Sequence, residues 1–488
     1  MTSFSASDVR PLYIGGEWTP GRGGNEPMPT YNPTTGEEIA RVTAATAQDV
    51  DDTVIAAQKG AAEWRALPWT GRAAVLREMA KRIRDEVDRL CLIDVENAGL
   101  PISASRRDVL RAADEIEYFA GIAGEVKGDT IPAPEGGLAY TLREPYGVVG
   151  RIIPFNHPFN FSAAKVAAPL AAGNAVILKA PDQAPLGALA LAELVGDLFP
   201  AGVLNVLTGT GAEVGNAISS HPKIPRIGFI GSVPAGQAVM RAGAEHIKHV
   251  TLELGGKNPM IICEDMDPKL AAKEAVNGMN MRKTMGQSCQ SNSRVFVHES
   301  IADEFIKELD QIVRAITIGD PRNEETEMGP VAFKAHYDRV RTHIDQAHED
   351  GARLVYDGEK PEGFSDGYFV GPTVFDGVTP DMRLFHNEVF GPVMAVVRWS
   401  DENEMIEQIN AVEFGLTARI WTNDLSRANR IVSKVDAGFV WINESGRKDR
   451  GIPVGGFKLS GLGKESCVEE IVSYTREKSV TTTFVAHA

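Results

Sequence analysis

The residue best suited to covalent chemistry in this 488-residue chain is Cys289. It lies in a polar, glycine-led loop, Gly286-Gln-Ser-Cys-Gln-Ser-Asn-Ser-Arg294, directly before a predicted strand. Most of the four cysteines are expected to be inert buried thiols, because structural cysteines usually have apolar neighbours, whereas this loop is typical of a reactive thiol. A free thiol has a pKa of about 8.5, so the site must lower that pKa or remove the proton locally.

Two further segments place polar side chains where folding alone does not require them. Glu253 ends a predicted strand before two glycines, where a cap or turn favours Asp, Asn or Ser. Asn156 lies between Pro154 and Pro158, which stiffen the backbone and fix the direction of the amide. Together these residues suit acyl transfer. Cys289 would attack an aldehyde carbon, Asn156 and a backbone N–H would hold the oxyanion, and Glu253 would activate water as general base.

Alternating strands and helices must position these residues. Helical periodicity covers 48–65, 70–97 and 104–123, before the first alternating run. That run has predicted strands at 148–153, 175–179, 203–207, 226–230 and 251–254. A second run extends from about 270 to 441, and 479–484 reads as a terminal strand that pairs outside its own domain. Strands that alternate with helices predict an α/β fold with parallel sheets.

Two strand-to-helix turns are rich in glycine. Gly209 and Gly215 belong to the first, and Ser232 and Gly236 to the second. Glycine allows close approach of a phosphate, and the following helix presents free N–H groups to it. Neither turn has the G-x-G-x-x-G spacing, and glycine-rich turns also connect strands to helices for purely structural reasons. Phosphate binding and a purely structural turn therefore both remain open.

Lys179 and Asp182 follow the predicted strand at 175–179. Because ligands of α/β sheets bind at the carboxyl ends of strands, these side chains could hydrogen-bond the hydroxyls of an adenosine ribose. An acid there disfavours a 2′-phosphate, which predicts NAD with NADP as a possible second cofactor. The alternative is a surface lysine and an aspartate that caps a helix.

Composition excludes several classes of partner. The net charge of −16 argues against binding nucleic acid or an anionic membrane, and no apolar run is long enough to span a bilayer. Four scattered cysteines and no secretory signal predict a cytoplasmic protein. The histidine pairs 246/249 and 343/348 lack further ligands at metal-binding spacing, so we expect no catalytic metal.

The chain resembles the aldehyde dehydrogenase superfamily along nearly its whole length. The motifs that carry the resemblance are Pro154-Phe-Asn156, Gly231-Ser232, Glu253-Leu-Gly-Gly-Lys257, Gly286-Gln-Ser-Cys289, Asn387-Glu-Val-Phe-Gly-Pro392 and Pro453-Val-Gly-Gly-Phe-Lys-Leu-Ser-Gly461. The resemblance implies an NAD(P)-dependent, hydrolytic enzyme that converts an aldehyde to a carboxylic acid. Cys289 would be its nucleophile, Glu253 its general base and Asn156 its oxyanion residue.

The resemblance also implies contacts with the cofactor. Glu388 would hold the nicotinamide ribose and Phe390 would pack near the nicotinamide. Phe155, where Trp is common in the family, is counted among the cofactor contacts. Lys179 and Asp182 would contact the adenosine ribose, and Ser232 the pyrophosphate. Lys165 and Glu465 occupy positions linked in the family to proton exit.

The fold implied by the resemblance has three parts. They are a Rossmann-like NAD-binding domain (1–123 and 146–255), an α/β catalytic domain (256–471) and a small β oligomerisation extension (124–145 and 472–488). Such an extension pairs between subunits, so a homodimer or homotetramer is expected.

The substrate is the least defined part. By family position, the pocket walls include His157, Phe161, Ala164, Arg282, Lys283 and the loop 444–452. Arg447, Lys448 and Arg450 make that loop basic, which suggests an anionic substrate. The alternative, which we favour, is surface ion pairing at a subunit edge. Ala164 also weakens the anionic hypothesis, because semialdehyde-specific members tend to have Arg there.

Two other functions compete with hydrolytic oxidation. In a CoA-acylating dehydrogenase a thiol replaces water as the acyl acceptor, but such enzymes tend to dispense with the base at Glu253. A non-catalytic structural protein on the same fold has no physical need for a cysteine in a polar loop.

Overall fold

The structure is a computed structural model that describes residues 9–134 and 136–484. Those parts of the predicted domains that fall on residues 1–8, 135 and 485–488 therefore lie outside the described residues. The strands, in chain order, are β1 Val9–Arg10, β2 Leu12–Ile14, β3 Glu17–Thr19, β4 Met28–Tyr31, β5 Glu38–Val42, β6 Thr130–Ile131, β7 Gly137–Pro145, β8 Val148–Ile152, β9 Ala175–Lys179, β10 Leu204–Leu207, β11 Arg226–Ile230, β12 His249–Glu253, β13 Pro259–Ile262, β14 Arg294–His298, β15 Arg353–Asp357, β16 Thr373–Asp376, β17 Val393–Trp399, β18 Phe414–Gly415, β19 Thr417–Trp421, β20 Phe439–Ile442, β21 Phe457–Lys458, β22 Gly461–Leu462 and β23 Thr475–Thr483.

The helices connect these strands and cover the sheets. They are α1 Ala47–Ala66, α2 Trp69–Asp85, α3 Val87–Ala98, α4 Ile102–Gly121, α5 Pro158–Ala164, α6 Ala167–Ala171, α7 Leu186–Val195, α8 Asn216–Ser220, α9 Val233–Ala244, α10 Pro268–Gly278, α11 Met281–Thr284, α12 Glu299–Arg314, α13 Lys334–Glu349, α14 Arg383–His386, α15 Glu402–Asn410, α16 Leu425–Val432 and α17 Val468–Ser473. No helix in the described ranges combines the length and the hydropathy needed to cross a membrane.

Several helix starts are fixed by local sequence. At α1, the Thr46 hydroxyl accepts the N–H of Asp49 while the Asp49 carboxylate accepts the N–H of Thr46, a reciprocal capping box. At α10, the Asp267 carboxylate caps the N–H of Leu270, and Pro268 occupies the first turn. These caps satisfy N–H groups that the helices themselves leave free.

The first large sheet has the strand order of a Rossmann-like fold. Its parallel centre runs β10-β9-β8-β11-β12, which is 3-2-1-4-5 when the strands are numbered from β8. The strands β2, β3 and β22 extend the edges in antiparallel pairing. The strand order reverses between β8 and β11, and ligands of such sheets bind beyond the carboxyl ends at that reversal. The predicted Rossmann-like α/β sheet is confirmed.

The second large sheet has the order β15-β16-β17-β14-β13-β19-β20, and only its edge pair, β15 with β16, is antiparallel. Its central strands are buried along their whole length, as in β13 and β16. Helices therefore cover both faces, and strands buried in this way appear in the sequence as continuous apolar runs.

The helical periodicity over 70–97 belongs to two helices and not to one. Helix α2 ends at Asp85 and α3 begins at Val87, because Glu86 has φ −108° and ψ 17°, outside the helical range. Both helices pack against α4. Apolar residues continue at helical spacing on both sides of Glu86, so periodicity does not reveal the break.

The strand predicted at the C-terminal end is longer than expected. It begins at Thr475, and β23 pairs antiparallel with the whole of β7, which also pairs with β6. The domain boundaries given above stay a prediction. One strand pairing joins two of the predicted domains: β22 lies in the range assigned to the catalytic domain and pairs with β12, which lies in the range assigned to the NAD-binding domain.

Candidate active site

The three candidate catalytic residues lie together. Asn156 follows the carboxyl end of β8, Glu253 is the last residue of β12, and Cys289 lies in the loop between α11 and β14. The Cys289 thiol donates a hydrogen bond to Glu253 Oε1 at 3.0 Å. Asn156 Nδ2 donates to the carbonyl of Gln287, two residues before Cys289, at 2.9 Å. Two strand ends of the first sheet thus meet the loop that precedes β14.

Burial raises the pKa values of both members of the Cys289–Glu253 pair. Burial and the neighbouring Glu253 carboxylate raise the pKa of the Cys289 thiol well above its usual value. Burial and the charge of Glu465 raise the pKa of the Glu253 carboxyl. The charge of Lys448 opposes both shifts in pKa. The resting thiol is therefore protonated at neutral pH, and its hydrogen-bond partner is a carboxyl group placed to accept the proton.

The four cysteines differ in setting as the sequence predicts. Cys91, Cys263 and Cys467 are buried, whereas Cys289 is partly accessible, and all four are free thiols. Burial raises the pKa of Cys91 to about 11 and that of Cys263 to about 12. Only Cys289 combines access to a cavity with a carboxylate in hydrogen-bond contact.

Two cavities meet at Cys289. One, of 270 Å³, extends towards α4, and the other, of 200 Å³, extends over the carboxyl ends of β8, β11 and β12. The residues that line both are Asn156, Phe161, Glu253 and Cys289. We name the first the α4 cavity and the second the sheet cavity. A group bound in either one reaches the same thiol.

The sheet cavity has the groups that a dinucleotide needs. Glu388 accepts the N–H of Gly256 at 2.8 Å, and burial raises the pKa of its carboxyl to about 7. A Cβ on Gly255 would lie 2.2 Å from the Glu388 carboxylate, so glycine keeps that side chain in the cavity. Phe155 and Phe390 pack edge to face with ring centroids 5.9 Å apart. These residues fit a ribose and an aromatic ring.

The second predicted glycine-rich turn also borders the sheet cavity. Ser232 lines the cavity and precedes α9, and no side chain caps that helix. The free N–H groups of its first turn suit a phosphate. Gly236, in that turn, has Leu254 packed against it, and an added Cβ would lie 2.7 Å from the Leu254 side chain. Gly236 thus has a packing role whether or not a phosphate binds.

Lys179 and Asp182 are not the surface residues of the alternative interpretation. The Lys179 side chain is buried at the end of β9 and pairs with Asp182. Asp182 also accepts the N–H of Gly211 at 2.9 Å and does not cap α7, whose N-cap is Pro185. The alternative of a surface lysine and a helix-capping aspartate is wrong.

The first glycine-rich turn contains one glycine that the backbone requires. Gly209 has φ +139°, and a Cβ there would lie 2.5 Å from the Val214 side chain. Gly215 has open space within 4 Å of its Cβ position, so no packing contact demands glycine at that residue. The helix that follows this turn begins as a π-helical turn, Gly211–Gly215, and the Thr210 hydroxyl caps it by accepting the N–H of Glu213.

The α4 cavity contains residues that the sequence left unassigned. Arg107, Asp108 and Arg111 of α4 line it, and Asp108 forms an ion pair with His157. A signal was present in the sequence, because Arg107 and Arg111 are four residues apart on a helix and so share a face. That spacing is equally typical of a solvent-exposed helix face.

Only part of the predicted substrate pocket lines this cavity. His157, Phe161, Lys283 and Lys448 do, whereas Ala164 is buried. The other basic residues form ion pairs elsewhere, which are Arg282 with Glu327, Arg447 with Asp449 and Arg450 with Asp114. Surface ion pairing thus accounts for those three residues and leaves Lys283 and Lys448 facing the cavity.

Lys165 and Glu465 form a buried ion pair at 2.8 Å in the wall of the α4 cavity. Arg151 also contacts Glu465 at 3.3 Å, and the two cations lower the pKa of the Glu465 carboxyl to about 2. This carboxylate stays ionised at neutral pH and raises the pKa of Glu253.

Comparison with known proteins agrees with this geometry. The model of the aldehyde dehydrogenase family matches residues 18–480. Aldehyde dehydrogenase tropH of Talaromyces stipitatus is 42% identical over 92% of this chain and 89% of its own length. Hydroxyisobutyraldehyde dehydrogenase of Mycolicibacterium austroafricanum is 40% identical over 96% of this chain and 93% of its own length. An NAD+ complex of aldehyde dehydrogenase from Bacillus cereus superposes with a TM-score of 0.94 at 36% identity, covering 98% of each chain. The chain therefore belongs to the aldehyde dehydrogenase family and is an NAD(P)-dependent aldehyde dehydrogenase.

Proposed function

We propose that this enzyme oxidises its aldehyde through a thioester on Cys289 that water then hydrolyses. The observation that carries the proposal is the 3.0 Å hydrogen bond from the Cys289 thiol to Glu253. In the first step, Glu253 takes the thiol proton and the thiolate attacks the aldehyde carbon, which forms a C–S bond and an oxyanion. Asn156 Nδ2, which has a second hydrogen beyond its bond to Gln287, and the backbone N–H of Cys289 hold that oxyanion.

The cofactor lies in the sheet cavity in this proposal. Glu388, Phe155 and Phe390 would hold its nicotinamide end, Ser232 and the first turn of α9 its phosphates, and Lys179 and Asp182 its adenosine ribose. NAD(P), when bound, supplies the hydride acceptor needed to convert a thiohemiacetal to a thioester. The Asp182 carboxylate would repel a 2′-phosphate, which favours NAD over NADP.

Hydrolysis uses Glu253 a second time. Once its first proton has left, Glu253 accepts a proton from water, the hydroxide attacks the thioester carbonyl, and the C–S bond breaks to release the carboxylic acid and regenerate Cys289. We assign the release of the first proton to Lys165 and Glu465, which line the same cavity as Glu253. The buried position of Glu253 against the thiol favours this hydrolytic course over transfer of the acyl group to CoA.

The direct test is NADH formation, measured at 340 nm, across aliphatic, aromatic and carboxylate-bearing aldehydes, with NAD and NADP in parallel and with no CoA. Cys289→Ala should abolish turnover of every aldehyde, whereas Cys263→Ala and Cys467→Ala, which change buried thiols, should retain it. Turnover that requires CoA would support the acylating alternative. Absence of turnover with or without CoA would support a structural protein.

We further propose a homodimer or homotetramer located in the cytoplasm. The nine-residue strand β23 forms one edge of its three-stranded sheet, and its residues from Arg476 to Lys478 are exposed. Long exposed edges can pair with a second chain. Light scattering after size exclusion distinguishes a dimer or a tetramer from a monomer, and a monomer at working concentration would contradict this assignment.

A further inference from the structure

The α4 cavity carries more positive than negative charge, in a chain whose net charge is −16. Its cationic lining residues are Arg107, Arg111, Lys165, Lys283, Arg419 and Lys448, and its acidic ones are Asp108, Glu253 and Glu465. The imbalance is local, because the protein as a whole is acidic. A cavity with an excess of positive charge attracts negatively charged ligands.

The acidic residues of this cavity are already engaged. Asp108 pairs with His157, Glu465 pairs with Lys165 and Arg151, and Glu253 accepts the Cys289 thiol. Asp108 and Glu253 act on the remaining cations of the wall only from beyond ion-pair distance, so three acids face six cations and the excess of positive charge persists.

Four of the cationic side chains have neither a carboxylate within ion-pair distance nor a hydrogen-bond acceptor among residues 9–134 and 136–484. They are Arg107, Arg111, Lys283 and Lys448. Lys165 pairs with Glu465. Arg419 has no carboxylate within ion-pair distance in the same ranges, but its guanidinium donates a hydrogen bond to the carbonyl of Gln290 and lies over the Trp441 ring. Four like charges gathered around one cavity repel one another, and a bound anion would relieve that repulsion.

The four cations come from three separate segments. In each segment, a cation that lines the cavity can be compared with the arginine that directly precedes it in the sequence. Arg107, Lys283 and Lys448 line the cavity and have no acidic residue within ion-pair distance in the part of the chain that the structure describes. The residue before each of them pairs with an acid outside the cavity lining, in the ion pairs Arg106–Glu324, Arg282–Glu327 and Arg447–Asp449. Unpaired cations thus coincide with the cavity wall on all three segments.

We propose that the substrate of this enzyme is an aldehyde that also bears a carboxylate, and that Arg107, Arg111, Lys283 and Lys448 bind the carboxylate while the aldehyde carbon lies at Cys289. The inference rests on the proposed function, since it assigns the α4 cavity to the aldehyde. Arg107 and Arg111, one helical turn apart on α4, present two guanidinium groups, which match the planar geometry of a carboxylate. The product is accordingly a dicarboxylic acid.

The test compares each acid with its methyl ester, which keeps the shape and removes the charge. Suitable pairs are 4-formylbenzoate with methyl 4-formylbenzoate, and succinic semialdehyde with its methyl ester. For the wild-type enzyme with NAD, kcat/KM for the acid should exceed that for the ester by about tenfold or more. The acid's advantage should shrink as ionic strength rises, because salt screens the attraction.

Three matched pairs of variants locate the effect. Arg107→Gln, Lys283→Met and Lys448→Met should each lower the acid-to-ester ratio about threefold to tenfold, because each removes one charge from the wall. Arg106→Gln, Arg282→Met and Arg447→Met should leave that ratio unchanged. The ratio is taken within one preparation, so a partial loss of folded protein cancels.

The outcomes separate the two proposals. Equal kcat/KM for acid and ester in the wild-type enzyme, with both oxidised, would overturn the inference and leave the thioester mechanism intact. A ratio that falls equally in both members of each matched pair would also overturn it. Failure to oxidise any aldehyde would remove the proposed function and the inference together.

Discussion

The two cavities that meet at Cys289 differ in where their residues come from. The sheet cavity is lined by segments of recognisable motifs, Pro154 to Asn156, Gly231 and Ser232, Glu253 to Gly255, and Glu388 to Phe390. In the α4 cavity, the four cations that have neither an ion-pair partner nor a hydrogen-bond acceptor in the described residues come from α4, α11 and the loop after β20, outside those motifs. The residues proposed for the chemistry and the cofactor therefore lie in motifs that carry the family resemblance, whereas the cations proposed to bind the substrate lie outside those motifs.

The largest expected effect is at the junction of the cavities. Glu253→Gln keeps the shape of the side chain but removes the base, so kcat should fall on the order of 10²–10⁴-fold for acids and esters alike. Mass spectrometry of the variant during turnover should show an acylated enzyme. A fall confined to acids would place Glu253 with the substrate wall instead.

Glu253 should also control the pH dependence. Its carboxyl pKa is raised by burial, and only the ionised form is a base. The wild-type kcat/KM should therefore rise as pH increases through that elevated pKa. In Glu253→Gln this rise should disappear, and an unchanged pH profile would contradict the assigned role.

A smaller effect is expected at the oxyanion donor. Asn156→Ala removes the amide N–H that approaches the loop of Cys289, so kcat should fall about 10²–10³-fold, again equally for acids and esters. Steady-state kinetics on the two matched substrate pairs measures this. A change mainly in KM for the aldehyde would point to a binding role.

The smallest of these effects is expected for a residue of the sheet cavity, and it should change only the KM for NAD. Glu388→Gln retains an acceptor for the N–H of Gly256 but loses the charge, so KM for NAD should rise about tenfold. The acid-to-ester ratio should not change, because Glu388 does not line the α4 cavity. A shift of that ratio would show that the two cavities do not act separately.

The sequence singled out Asn156, Glu253 and Cys289, which the structure brings together, but it did not single out Arg107 or Arg111 of the α4 cavity, and the difference has a physical reason. Cys289 in a polar loop and Glu253 at a strand end are unusual in local terms, so local sequence reveals them. Arg107 and Arg111 look like any solvated helix face, and only the packing of α4 against the site places them at the cavity. Whether a basic residue points inward depends on tertiary structure, as the different fates of Arg447 and Lys448 show.

The fold shows the same limit. Alternating strands and helices identify the α/β class, and strand ends locate Asn156, Lys179 and Glu253. The break at Glu86 cannot be predicted from local sequence, because the spacing of apolar residues continues across it. The pairing of β22 with β12 cannot be predicted either, because it joins segments that are far apart in the sequence.

That pairing has a consequence for synthesis of the protein. Leu252, beside Glu253, pairs with Leu462, so the strand that carries Glu253 acquires its outer neighbour only after residues 254–462 have been synthesised. Contacts of such long sequence separation form late and slowly. An emerging chain that has not yet reached Leu462 would therefore carry Glu253 on an edge strand, and the Cys289 thiol would meet Glu253 in its final surroundings only after β22 has paired with β12.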